Sequence, residues 1–130
     1  MTLFKPISEK KASAKVKKIF NKIKKERKIK VIPNFWRTIA NDPETLERTW
    51  NSLQQIMQKG SLDLLTKELI YVAVSMTNSC EYCIRSHTLA AKKKGMTDKM
   101  LKELISIVGM ANETNRLVDS YQVEIDKFLK

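Results

Sequence analysis

Residues 63–77, DLLTKELIYVAVSMT, decide the fold class. Leu69, Ile70, Val72, Ala73, Val74 and Met76 make the run apolar on nearly all sides, a pattern that suits a buried strand as well as a buried helix. Length separates the two. Leu64, Leu65 and Glu68 extend the pattern upstream to more than three turns, and no partner strand occurs elsewhere, so the run predicts a central, buried helix. Three glycines and three prolines leave little material for hairpins, and the abundance of Lys, Leu, Ile, Glu and Met favours helix over sheet.

The neighbouring segments extend this reading. Downstream, Thr77-Asn78-Ser79 supplies a break, Cys80 opens a fifth helix to about Lys94, and Gly95 stops it. Thr97 caps a sixth helix carrying Met100, Leu101, Leu104, Ile105 and Val108, and a seventh from about Glu113 carries Leu117, Val118, Tyr121, Ile125 and Phe128. Upstream, Gly60 is a left-handed terminator for a third helix that starts at Asp42-Pro43 and presents Leu46, Trp50, Leu53, Ile56 and Met57. Asn34 caps a short second helix with Phe35, Trp36, Ile39 and Ala40, and Ser8 caps a first helix to about Arg27. The expected architecture is all-α, a bundle of six to seven helices. Its 42% hydrophobic content is sufficient for a core.

The net charge of +11 is local in origin: residues 1–30 hold twelve Lys/Arg against two acids, and the remainder holds thirteen against twelve. This divides the chain into a lysine-rich N-terminal helical segment, 1–30, and a main helical domain, 31–130. Ala12, Val16, Ile19, Phe20 and Ile23 form an apolar stripe at helical spacing, so the lysines read as the solvated face of an amphipathic helix. A nucleic acid or an acidic partner is the alternative use of such a face, although no aromatic side chains are interleaved for base stacking. No apolar stretch approaches the roughly 20 residues of a membrane span, and repeated lysines occupy the place of a signal-peptide core. A cytoplasmic location is expected. In that reducing compartment two nearby cysteines point to redox chemistry or metal binding more than to a structural staple.

Both cysteines and the only histidine fall within residues 80–87, CEYCIRSH. On a helix, Cys80, Cys83 and His87 lie at i, i+3 and i+7, along one face. A thiol reacts as its thiolate, and a helix N-terminus stabilises that anion. His87, one turn beyond Cys83, is placed for proton transfer. Glu68, the only acid between Asp63 and Glu81, sits in the most apolar helix, where burial is expected to raise its carboxyl pKa and make it a base. Such a pair has the minimum equipment of a dithiol peroxidase: one thiolate takes an oxygen from a hydroperoxide, its neighbour resolves the sulfenic acid, and an outside dithiol reduces the disulfide. Zinc on Cys80, Cys83, His87 and a carboxylate lacks the second ligand pair of a structural site, and Ile84 after Cys83 excludes covalent haem attachment. Neither a metal nor a cofactor is expected. Tyr71 and Tyr82 read as packing residues.

Glu68, eleven intervening residues, then Cys80-x-x-Cys83-x-x-x-His87 and a helix end at Gly95 resembles the carboxymuconolactone decarboxylase superfamily, within it the AhpD-like alkylhydroperoxidase branch. Ile32-Pro33-Asn34-Phe35 and residues 42–46 resemble that family's leading helices. The resemblance implies an all-α domain that self-associates into trimers or hexamers. Cys83 would be the peroxide-attacking cysteine, Cys80 the more exposed resolving partner, and Glu68 and His87 the proton relay. The implied partners are a hydroperoxide substrate and an external dithiol reductant of lipoyl or thioredoxin type. Decarboxylase members lack the paired cysteines. The name-giving member of the branch has a further histidine between its cysteines, and Tyr82 stands there in this chain.

Overall fold

In the structure, a computed structural model describing residues 2–130, every regular element is helical. The chain divides into two compact units, one through Gln58 and one from Lys59 onward.

The first unit contains α1 (Ala14–Arg27), α2 (Asn34–Ile39) and α3 (Pro43–Met57). The predicted stripe is buried: Val16, Ile19, Phe20 and Ile23 of α1 pack with Ile32, Trp36, Ala40, Leu46 and Trp50. Trp36 and Trp50 meet edge to face at 5.3 Å, with the Arg27 guanidinium 5.3 and 5.5 Å from the two rings. α1 starts later than the sequence predicts, because Ser13 rather than Ser8 caps it, its Oγ accepting the Val16 N–H at 3.3 Å. The residues before it are tied elsewhere. Glu9 accepts the Ile32 N–H at 2.9 Å and pairs with Lys24, while the Ile7 N–H donates to the Arg37 carbonyl and the Ile7 carbonyl accepts from the Arg37 side-chain Nε. At α2 the N-cap is Pro33, and Asn34 is the first helical residue. Asp42 caps α3 as expected, accepting from Glu44 N–H, Thr45 N–H and the Thr45 hydroxyl. Gly60 is not its left-handed terminator: α3 ends at an extended Gln58, and Gly60 has no positive φ.

The second unit contains α4 (Leu64–Thr77), α5 (Glu81–Lys93), α6 (Asp98–Ser120) and a short 3-10 turn, η1 (Lys127–Leu129). Asp63 caps α4 through the Thr66 N–H at 2.8 Å. α4 packs against both α5 and α6. It is not buried all round as the sequence predicts. Glu68, Val72 and Ser75 form one buried stripe, and Ile70 and Val74 stay exposed. The predicted sixth and seventh helices are one as far as Ser120, and the rest of the predicted seventh is not α-helical: Tyr121 is the C-cap, Ile125 lies outside any helix and Phe128 sits in η1. Gly109 costs a helix interior only about 1 kcal/mol, and Asn112 turns its side chain onto the Val108 carbonyl and the Thr77 hydroxyl instead of breaking the chain.

Two turns position the site. After α4, Ser79 takes the left-handed conformation (φ 55°), its N–H donates to Met76 O, and the Cys80 N–H donates to Ser75 O at 3.0 Å. This is a Schellman closure, and it delivers Cys80 straight to the N-cap of α5. The same closure ends α5: Gly95 (φ 105°) donates to Lys92 O and Met96 to Ala91 O at 2.9 Å, which fixes Lys94 as the C-cap.

Ile23 is fully buried in the first unit's core. Ile23→Ala is expected to cost about 2–5 kcal/mol of stability, read as a lower urea midpoint by circular dichroism.

Candidate functional site

The site is built on the facing sides of α4 and α5, with its sulfurs at the α5 N-terminus. Cys80 and Cys83 are joined in a disulfide, with their Cα atoms 5.3 Å apart. The Cys80 sulfur also accepts the Cys83 N–H at 3.4 Å, so it caps the helix in place of an oxygen. Both cysteines are partly buried. One turn along the same face stands His87.

Glu68 reaches this face from α4. Its side chain is 7% exposed and that of His87 is 15% exposed, and the carboxylate Oε2 lies 2.7 Å from His87 Nδ1. The other carboxylate oxygen, Oε1, accepts from Lys94 Nζ at 2.9 Å. Tyr71, one turn beyond Glu68, stacks on the imidazole, with centroids 3.5 Å apart and planes 18° from parallel. The ring is thus fixed by a hydrogen bond at one nitrogen and by an aromatic face.

The electrostatics correct the sequence expectation for Glu68. Burial does push its carboxyl pKa up, but hydrogen bonds from His87 and Lys94, with the charge of Lys94 added, outweigh it and hold the group below its ordinary value of 4.5. Glu68 is therefore a carboxylate near neutral pH. It accepts the Nδ1–H of His87 and leaves Nε2 as the nitrogen open to chemistry.

Of the residues singled out in the sequence, Cys80, Cys83, Glu68 and His87 all lie in the second unit: the cysteines bond to each other, and Glu68 bonds to His87. Sequence reasoning missed Lys94 and undervalued Tyr71. A signal for Lys94 was present, since Cys80, Cys83, His87 and Lys94 follow steps of three, four and seven, which keep one helix face. Among the described residues no three His, Cys, Asp or Glu side chains are arranged to hold a metal ion. An apolar groove of about 380 Å³ lies elsewhere, lined by Met76, Ile84, Thr88, Leu89 and Leu101 with Arg85 and Lys92. On α5 these residues occupy the side away from Cys83 and His87, so the groove is separate from the sulfurs.

The comparisons with known proteins agree with this geometry. The sequence model of the carboxymuconolactone decarboxylase family matches residues 43–123, and the chain belongs to that family. Its structure is similar to the crystal structure of the alkylhydroperoxidase AhpD core from Rhodospirillum rubrum, with a TM-score of 0.93 and 42% identity over 100% of this chain and 98% of that one. A protein from Methanobacterium thermoautotrophicum aligns with a TM-score of 0.62 and 26% identity, over 66% of this chain and 97% of that one. In sequence, 50 residues are 38% identical to the uncharacterized protein 4 in the cox locus of Paracoccus denitrificans, and 49 residues are 35% identical to the uncharacterized protein YdfG of Bacillus subtilis. These stretches span 38% of this chain in each case, and 45% and 33% of the two relatives. The AhpD-like, all-α fold expected from the sequence is the fold observed.

Because the Glu68 pKa is depressed in the fold, its tether contributes stability fully above 4.5 and loses it as pH falls through the lower folded value. The stability difference between the wild type and Glu68→Gln is expected to be constant from pH 7 to about 5.5 and to close below 4.5, as measured by urea unfolding across that range.

Proposed function

We propose that the chain is a thiol-dependent peroxidase that reduces hydroperoxides through the Cys80/Cys83 pair, with His87 and Glu68 managing the protons. The observation that carries this reading is the cysteine pair at a helix N-terminus, one turn from an imidazole tethered to a buried carboxylate. The likeness to the alkylhydroperoxidase AhpD core supports the same chemistry.

In the reduced enzyme His87 Nε2 takes the proton of Cys83, and the helix amides stabilise the thiolate. The sulfur attacks the terminal oxygen of R–O–O–H. The S–O bond forms as the O–O bond breaks, and the departing alkoxide takes a proton from the imidazolium to leave as R–OH. Cys83 is then a sulfenic acid. The Cys80 thiol gives its proton to His87 Nε2 and its sulfur displaces the sulfenic hydroxyl, which takes that proton and leaves as water, closing the disulfide seen in the structure. An external dithiol of lipoyl or thioredoxin type returns two electrons by exchange and is itself oxidised to a disulfide. The cycle's dependence on an external dithiol supports a reducing compartment such as the cytoplasm. Among the described residues no helix is long and apolar enough to cross a membrane.

The second unit also exposes Ile105, Ile107, Met110, Leu117 and Val118 along α6. Apolar surface on this scale supports self-association of the chain through α6, as the resemblance implies. Light scattering of purified protein is expected to give a trimer or hexamer, and replacing Ile107 and Val118 by Lys is expected to release the monomer.

Thiol titration tests the cycle. One equivalent of peroxide is expected to remove two thiols per chain. Cys83→Ser should abolish turnover, Cys80→Ser should leave a trappable sulfenic acid, and His87→Ala should slow peroxide consumption roughly 10²–10⁴-fold. Undiminished turnover in Cys83→Ser would remove the mechanism.

A further inference from the structure

We propose that Lys94 is a positioning residue of the relay, which neutralises Glu68 so that the carboxylate orients His87 without holding a second proton on the ring. The geometry is specific. Glu68 is nearly buried, and its two oxygens are divided between two partners, His87 Nδ1 at 2.7 Å and Lys94 Nζ at 2.9 Å. The Lys94 side chain is itself only about one-third exposed, and its backbone is held at the C-cap by the turn that ends α5.

Counting charges gives the consequence. With Lys94 present, the carboxylate is already balanced and a neutral ring leaves the cluster with no net charge. Protonating the ring would then place an uncompensated positive charge in a site where the His87 side chain is 15% exposed. Without Lys94 the balance inverts, because the carboxylate is left unpaired and the imidazolium becomes its counter-ion. The groups that bear on the ring are Glu68 and Tyr71 from α4, with Lys94 at the C-cap of α5 acting through Glu68. Lys94 thus keeps Nε2 unprotonated as an acceptor for the thiol proton, while Glu68 holds Nδ1–H in place. Its value to turnover rests on the peroxidase reading above, whereas its effect on the ring charge does not.

His87 is the only histidine, so its ring nitrogens give one unambiguous set of signals in a long-range ¹⁵N–¹H spectrum. Spectra of the oxidised protein are compared at one pH near 7 for wild type, Lys94→Met, Lys94→Gln and Lys94→Arg. The imidazolium-to-imidazole ratio is expected to rise about tenfold in the Met and Gln variants, the effect of removing one unit charge at this range, and to stay within about twofold of wild type in Lys94→Arg. Gln keeps a hydrogen-bond donor without the charge, and it decides the matter if the Met variant fails to fold. Should Gln also fail, the same ratio in Lys94→Arg against Lys94 acetylated in the folded protein decides. A ratio within twofold of wild type in every folded charge-free form overturns the proposal. In parallel, Lys94→Gln is expected to move the acid limb of peroxide consumption upward by about one pH unit. If the wild type consumes no peroxide while the spectral difference persists, the peroxidase reading falls and the role of Lys94 in setting the ring charge stands.

Discussion

A carboxylate taken out of water must be paired or it will not stay charged, and the second unit is organised around one such group. Glu68 is 5% exposed on the inner stripe of α4, and both of its oxygens are answered by side chains of α5. One buried charge therefore ties two helices together, orients an imidazole and recruits an ammonium. Replacing such a cluster with apolar side chains of the same volume is often neutral for stability. Its presence on the buried side of α4, one turn from Val72, argues for chemistry more than for holding the fold together.

The spacing of the motif follows from the turn that joins the two helices. A Schellman closure needs a left-handed residue whose own N–H and the N–H after it both donate back to the helix, and Ser79 and Cys80 provide them at the cost of about 1–2 kcal/mol for a non-glycine left-handed residue. Because Cys80 donates its N–H to the end of α4 and its sulfur accepts at the start of α5, a single residue, Ser79, separates the helices' caps. The helices must then lie antiparallel and close, and the buried Val72, Ser75 and Ala91 are small enough to allow it. Glu68 and His87, nineteen residues apart, meet as a result.

The sequence showed those parts of the fold whose signals are local. Asp42 and Thr97 each cap the helix that their type and place predict. The α1 stripe and the glycine stop of α5 were equally legible. What escaped depended on partners distant in sequence. Ser8 looked like the cap of the first helix, but the Glu9 beside it is engaged by Ile32 and Lys24, and α1 begins at Ser13's cap. The Glu68 pKa was misjudged because burial can be guessed from neighbours in sequence, whereas the compensating hydrogen bonds from His87 and Lys94, nineteen and twenty-six residues away, depend on how α4 and α5 pack. Lys94 itself was hidden in a run of three lysines, residues 92–94, of which it alone bonds to Glu68.

α6 raises a different physical question. Helices owe most of their stability in proteins to the packing of an apolar face, yet along its 23 residues α6 buries only Leu104 within the chain. Its remaining apolar side chains are a reserve of stabilisation that a second copy would supply, at about 25 cal/mol for each Å² removed from water. α6 packs on α4, and α4 carries Glu68 and Tyr71. On the reading that copies associate through α6, assembly would steady the helix that presents the carboxylate. The relay would then be most ordered in the oligomer, although all of its members belong to one chain.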